Sequence, residues 1–457
     1  MSESDKLYAV HPTNRFARPL TLKAGPPLIL AGGFLVLIII GTVLLTLPAA
    51  STTSGSIGAF NALFMATSAV TVTGLSVVDT ASSLTIFGKT TLVVLVQLGG
   101  LGFVTFAILT SLALGRKLSL QEQAVALEAF NQTSVSRIQR IAFAVIKITL
   151  LIELLVAAVL TLWWTRDLPF TAALTQGVFH AVTAFNNSGF AFFEHSLARF
   201  SGDAVTILTV TTAIILGGIG FSVLYDVGQQ RRWQTLPPYT KTILVATLAL
   251  NLFGFVMVWL LEVGNARTLG ELSVGDQALA AWLQSVTART AGFTTLDVSQ
   301  LRDSTTLILM FLMFIGGGSL STASGIKVGT FIVLLAAMWS FIKQRRDVLI
   351  LKRRIEPETV QKALALVMVT TLSAFAAVFL LTLFEQRPFI DLLFEVISAL
   401  STTGMSRHIT PELSAPSKVV IMVVMFAGRV GPLTLVYTLA KRQHSRVRYP
   451  ATEFPVG

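Results

Sequence analysis

Long apolar runs alternate along the chain with shorter segments in which Ser, Thr and Ala gather ahead of a glycine. The runs occupy 28–47, 86–114, 141–164, 204–227, 241–261, 305–342, 363–384 and 418–439, and the sixth is interrupted. As helices rising 1.5 Å per residue, each is long enough to cross ~30 Å of hydrocarbon. Between the members of successive pairs lie segments 60–75, 177–190, 282–293 and 393–405. Each begins apolar, turns rich in small hydroxylated residues, and closes on a glycine followed by a large apolar side chain: Gly74-Leu75, Gly189-Phe190, Gly292-Phe293 and Gly404-Met405. These glycines are 115, 103 and 112 residues apart, a period that predicts one helix–loop–helix unit used four times.

The pattern predicts an all-α integral membrane protein with eight transmembrane helices and four reentrant pore loops in pseudo-fourfold arrangement. It divides the chain into a cytoplasmic tail 1–27, repeat 1 at 28–114, a cytoplasmic linker 115–140 and repeat 2 at 141–227. Repeat 3 at 228–342, a basic cytoplasmic linker 343–362, repeat 4 at 363–440 and a cytoplasmic tail 441–457 follow. Within the first linker, 118–135 alternates apolar and polar residues at helical spacing, as a surface helix would. Composition agrees: 53% of residues are hydrophobic, 12% are charged and the mean hydropathy is +0.74, against roughly 25% charged in soluble domains. The first run follows Lys6, Arg15, Arg18 and Lys23 and exceeds a signal-peptide core, so it is expected to remain as an uncleaved helix.

The net charge of +11 reads as topology rather than nucleic-acid binding, because the basic residues sit between the apolar runs. Twenty-two Lys and Arg fall on the side of the termini and nine, Arg289 among them, on the opposite side, which puts both termini in the cytoplasm and the four loops at the outer face. Cysteine is absent, the five histidines lack metal-ligand spacing, and no nucleotide fingerprint or Ser/His/acid arrangement occurs, so an enzyme is not expected. Glu395 and His180 fall in the helical halves of their loops, where packing or capping is expected.

Non-helical backbone at membrane depth must be buried in protein or line a watery cavity. Glycine lets such backbone turn its carbonyls toward a common axis, and rings of carbonyls can replace the hydration shell of a monovalent cation. The ring residues would be Val72, Thr73 and Gly74; Asn187, Ser188 and Gly189; Thr290, Ala291 and Gly292; and Thr402, Thr403 and Gly404. All are neutral, so an ion would be held weakly enough to leave. Beyond each loop the second run carries small residues, Gly99–Gly102, Gly217–Gly220 and Gly428–Gly431, as close helix packing would require. In the third repeat this becomes Gly316, Gly317, Gly318, Ser319, Leu320, Ser321, Thr322, Ala323, Ser324 and Gly325, a stretch too rich in glycine and serine to stay helical. It reads as the one clearly broken helix and as a gate beneath the ring. Arg429, deep in the last run, would hold that segment through its freed carbonyls, with packing against Glu153 as the competing role; Lys327 would serve the same gate or mark its inner end.

Residues 67–75, 184–190, 288–293, 318–327 and 428–435 together resemble the signature segments of the Trk/Ktr/HKT superfamily of cation transporters, and most closely its bacterial Ktr branch. The resemblance implies a potassium filter centred on the four glycines, K⁺ as the transported ion with Na⁺ as a possible activator, and Gly316–Gly325 as a gating loop held by Arg429. It also implies a homodimer in the bacterial inner membrane, with a cytosolic ring of nucleotide-binding, RCK-type regulatory subunits. Trk-type chains usually carry two further spans at the start, and only 27 residues precede the first run here, which favours Ktr. Ala323 and Ser324 stand where a more glycine-rich run is expected. An alternating-access symporter is the alternative; it would show inverted repeats and usually two broken helices.

Overall fold

The computed structural model describes residues 26–52, 55–102 and 135–431. The tail to residue 25, residues 115–134 of the 115–140 linker with nearly all of its 118–135 stretch, the far ends of the 86–114 and 418–439 runs, and the 441–457 tail lie outside the described residues.

Each unit begins with a long helix, adds a short one, and returns through a second helix. Unit 1 holds α1 (Pro26–Thr46), α2 (Ala59–Val70) and α3 (Ile86–Leu101). Unit 2 holds α4 (Val135–Trp164), α5 (Phe170–Phe185), α6 (Ala204–Ile219) and α7 (Phe221–Gln229). Unit 3 holds α8 (Pro238–Glu262), α9 (Val274–Thr287), α10 (Asp303–Phe314) and α11 (Val328–Ile342), and unit 4 holds α12 (Pro357–Phe384), α13 (Phe389–Ser401) and α14 (Ala415–Val430). Local chemistry sets several starts. Thr85, Asp203 and Ser273 cap α3, α6 and α9 by accepting from backbone N–H groups of the first turn, and proline opens α8, α12 and α14 where its missing donor costs nothing.

Length separates the helices by role. Among the described residues, Phe143–Trp164, Pro238–Glu262 and Pro357–Phe384 are long and apolar enough to cross a membrane, at 22, 25 and 28 residues or about 33 to 42 Å. They turn Leu151, Leu154, Leu248, Leu260, Leu372 and Phe375 outward, exposed apolar bulk that lipid accepts and water would not. The short helices α2, α5, α9 and α13 have 12 to 16 residues and reach only about 18 to 24 Å. Their C-terminal portions are mostly buried, with Phe64, Phe185, Leu283 and Phe394 fully enclosed. The small residues after the loops do serve close packing: a methyl group at Gly99, Gly217 or Gly428 would collide with the carbonyl oxygen of Val70, Phe185 or Leu400, each four residues before its loop glycine.

Run 204–227 is not the continuous helix expected of it. It breaks at Gly220, where α6 and α7 meet at 97°, the glycine at φ +108°. α3 and α14 likewise stop at glycines of positive φ, Gly102 (+79°) and Gly431 (+95°). The expectation of a single broken helix is thereby corrected. The fourth position of each Gly-x-x-Gly run takes a conformation that L side chains resist, so the helix stops there. In unit 3 the break covers 315–327, wider than the expected 316–325. The basic linker 343–362 is also more ordered than a connector: it holds an antiparallel hairpin, β1 (Val348–Ile350) and β2 (Arg353–Ile355), and the first turns of α12. Leu351 and Lys352 both have positive φ, the geometry of a two-residue hairpin turn.

The units close on one another in order. α3 packs on α5, α6 on α9, α10 on α13, and α14 on α2. The second helix of each unit thus leans on the short helix of the next, and the fourth returns to the first.

Candidate functional site

The last three residues of each loop share one backbone pattern. φ is positive at Val72 (57°), Asn187 (58°), Thr290 (75°) and Thr402 (51°), and again at Gly74 (90°), Gly189 (68°), Gly292 (83°) and Gly404 (83°). The residue between keeps an ordinary φ. Left-handed backbone is unfavourable for a β-branched side chain, so its recurrence at Val72, Thr290 and Thr402 marks an imposed conformation. The backbone N–H groups of Thr73, Ser188 and Thr403 donate back into their helices, to Ser68 O, Thr183 O and Ser398 O at 2.8 to 2.9 Å; Ala291 N–H donates to Thr287 O at 2.9 Å. The amides face the helices, and the carbonyl oxygens from Val72 to Gly74 and at the matching positions of the other units accept no hydrogen bond from any described residue. Buried carbonyls left unpaired in such number require an explanation.

All twelve ring residues predicted from the sequence are brought together, and contacts between the glycines give the order. A methyl group at Gly74 would come within 3 Å of Ser188 O, one at Gly189 within 3 Å of Ala291 O, one at Gly292 within 3 Å of Thr403 O, and one at Gly404 within 3 Å of Thr73 O. Each glycine abuts the next unit's carbonyl and the fourth meets the first: a closed ring of backbone oxygens that only glycine permits. α2, α5, α9 and α13 all end just before it, so four helix C-termini present their negative ends to the same point.

The residues after the glycines line a cavity of about 630 Å³ that includes all four glycines, Asp79, Asp297 and His408. His408 Nε2 lies 3.0 Å from Asp297 Oδ1. Partial burial opposes ionisation of Asp297, but hydrogen bonds from Ser299 and the charge of His408 outweigh it and hold the carboxyl below its ordinary range. His180 and Glu395 have the expected packing roles, nine residues before their glycines. His180 Nε2 accepts from Phe192 N–H at 3.3 Å and Glu395 accepts from Thr410 Oγ1, so each pins the limb leaving the ring to its own short helix.

Beneath the ring lies segment 315–327. Its neck is tied by Gly316 N–H to Ile326 O (2.9 Å) and Val328 N–H to Gly317 O (3.0 Å). Its far side docks on the break of unit 2: Gly318 N–H donates to Gly218 O (2.8 Å), Thr322 N–H to Gly217 O (3.2 Å), and Phe221 N–H to Leu320 O (2.7 Å). Thr322 Oγ1 reaches Phe185 O at 3.1 Å, four residues before Gly189, which sets the segment against the inner end of α5. Ser319 N–H meets the Tyr239 hydroxyl at 3.2 Å, Ser321 Oγ closes on Gly318 O, Gly325 takes φ +69°, and Lys327 Nζ donates to Ala323 O at 2.6 Å.

Arg429 donates to this segment at Thr322 O and Ser324 Oγ (3.2 Å). Its other arm takes Gly99 O and Gly100 O (2.9 Å), unclaimed carbonyls near the end of α3, which the sequence did not suggest. Glu153 engages Gln97 and Asn186 instead. Sequence reasoning counted Arg289 only as one of nine cations on the outer side, pore loops included. It is buried, 7% exposed, and its guanidinium donates to Thr247 O (3.3 Å), Asn251 Oδ1 (3.1 Å) and Gly316 O (3.1 Å). The available signal was its place between Ala288 and Thr290, inside a segment otherwise small and neutral.

The carbonyls at the four loop ends thus gather within a bundle of apolar helices. Over residues 28–447 the sequence matches the family described as TrkH, cation transport protein, and the chain belongs to that family. It is 42% identical over 432 residues to the Ktr system potassium uptake protein B of Bacillus subtilis (strain 168), covering 94% of this chain and 97% of that one. To the protein of the same name from Vibrio alginolyticus it is 41% identical over 430 residues, with 94% of each chain covered. The crystal structure of the potassium transporter TrkH from Vibrio parahaemolyticus has the same fold, with a TM-score of 0.70 over 90% of this chain and 85% of that one, at 20% identity. The relatives are transport proteins, not enzymes.

Proposed function

We propose that this chain is the pore-forming membrane subunit of a bacterial potassium-uptake system, lying in the inner membrane with both termini in the cytoplasm. The observation that carries the reading is the contact of each loop glycine with the next unit's carbonyl, the fourth closing on the first. The four units are then pore-loop repeats in pseudo-fourfold order, with eight spans and four reentrant loops divided as the sequence divides them. The carbonyls at 72–74, 187–189, 290–292 and 402–404 are the selectivity filter. They exchange the hydration shell of K⁺ for neutral dipoles, and four helix C-termini, each worth about −0.5 charge, favour a cation there.

Segment 315–327 is the gate, with Lys327 at its inner end and Arg429 holding it closed. A cytosolic nucleotide-binding ring of RCK type acts on it from the inner face, two copies of this chain pair in the membrane, and Na⁺ serves as activator. The break at Gly220 gives the symporter reading its second interrupted helix. Against that reading, the units follow one another in the same sense around the ring rather than as inverted pairs.

The test is K⁺ uptake by a bacterium stripped of its own uptake systems, with and without the co-expressed regulatory subunit. Uptake that rises with the partner is the expected result; none from a chain present in the membrane would overturn the proposal.

A further inference from the structure

The position three residues before the loop glycine is Thr71, Asn186, Arg289 and Ser401 in the four units. Thr71 bonds within its own loop and to the end of its own helix, and Asn186 reaches outward to Gln97 and Glu153. Arg289 alone reaches 315–327. It does so as a buried cation whose bonds all go to neutral acceptors and which forms no ion pair with a described residue. A buried unpaired charge is costly, and a neutral side chain would pack there at lower cost. What the guanidinium adds is reach in two directions. One nitrogen is fixed to α8 through Thr247 and Asn251, and the other holds Gly316 O at the neck of the segment. Its own backbone is one residue from Thr290, where the ring begins.

We propose that Arg289 is a positioning residue that couples the ring to the gating segment, latching its neck at Gly316 as Arg429 latches its tip at Thr322 and Ser324. The proposal rests on the gating role given above to 315–327. For the segment to swing clear, Gly316 O must leave the guanidinium, or the guanidinium must follow and drag Thr290 with it. In the first case the broken bond adds to the cost of opening, and in the second the unit 3 quadrant of the ring moves with the gate; both tie opening to Arg289.

The experiment measures K⁺ and Na⁺ uptake for Arg289→Gln and Arg289→Lys, each in the full-length chain and in a chain lacking 318–324. In the full-length chain without the regulatory partner, Arg289→Gln should raise the maximal uptake rate about threefold, at an unchanged half-saturating K⁺ concentration and K⁺/Na⁺ preference. Arg289→Lys, which keeps the charge but cannot bridge both sites, should fall between. In the shortened chain neither substitution should change the rate further. Unchanged uptake in the full-length variants, while the deletion alone raises it, would overturn the coupling and leave the gate standing. A deletion that does not raise uptake would instead remove the gate. A shift in half-saturation or ion preference at unchanged rate would assign Arg289 to the filter alone. Failure of both variants to reach the membrane would make it a folding residue; each of these two results overturns the proposal.

Discussion

In unit 2 the helix after the loop breaks at one glycine and resumes at once; in unit 3 it gives way to the irregular chain of 315–327 before α11 begins. The two breaks meet. Gly217 O and Gly218 O, left free where α6 ends, take Thr322 N–H and Gly318 N–H, and Phe221 N–H, exposed where α7 starts, takes Leu320 O. One unit supplies a dock and the other what docks, although both derive from the same helix–loop–helix plan. The ring keeps the repeat, and the layer beneath departs from it. On the proposed reading, that contrast separates a part that must treat four directions alike from a part that must move.

The ring half of the contrast should fail hardest. Gly404→Ala places a methyl group against Thr73 O, backbone that cannot yield cheaply. More than a tenfold loss of K⁺ uptake or of K⁺ over Na⁺ preference is expected, corresponding to ~1.4 kcal/mol or more, read by competing-ion uptake. Gly102→Ala, where a methyl group meets no described residue within 4 Å, should cost only the ~1–3 kcal/mol of backbone strain in thermal stability and leave the preference intact. Deleting 318–324 comes next: uptake without the regulatory partner should rise severalfold, and a fall would mean the segment supports the pore instead of closing it. Arg429→Ala should act in the same direction but less, since the neck stays tied at Gly316. Protein lost from the membrane would give Arg429 a structural role.

The smallest effect belongs to the outer cavity. Asp297→Asn should raise the half-saturating K⁺ concentration about twofold, and the rise should vanish at high ionic strength, because one exposed charge acts within a Debye length of roughly 8–10 Å. A carboxyl held below its ordinary range keeps its charge until the pH falls through that lowered value. The difference between Asp297 and Asn should therefore be constant from pH 8 to pH 5. A difference that disappears already at pH 6 would mean that the Asp297 carboxyl is not held below its ordinary range.

How much of this was legible depended on whether a feature repeats. The loop glycines, the small residues behind them and the glycine-rich break in unit 3 could be read because each stands against three counterparts. The break at Gly220 could not, since a Gly-Gly-Ile-Gly run among apolar residues has the composition of a tight helix contact, and it serves as one at Gly217. Only φ at the fourth position separates the two, and that is fixed by Leu320 and Ser319 from a distant unit. Arg289 was hidden by a counting rule. Charge asymmetry assigns a cation to a side of the membrane, and it has no means of placing one beneath a loop. The reach of Arg429 to Gly99 and Gly100 was equally out of view, joining carbonyls more than three hundred positions away.

A pore assembled from four identical chains would carry every substitution four times over, so a blocking segment added to its subunit would crowd the axis with four copies. Here the quadrants are written in tandem in one gene, and each can be edited alone. A mutation enters the ring at a quarter dose, and on the proposed reading unit 3 can carry a plug while unit 2 carries its dock and unit 4 a latch. On the proposed reading, control of the gate is thus divided among the plug of unit 3, the dock of unit 2 and Arg429 of unit 4, and variation in any one of them can retune opening without altering all four quarters.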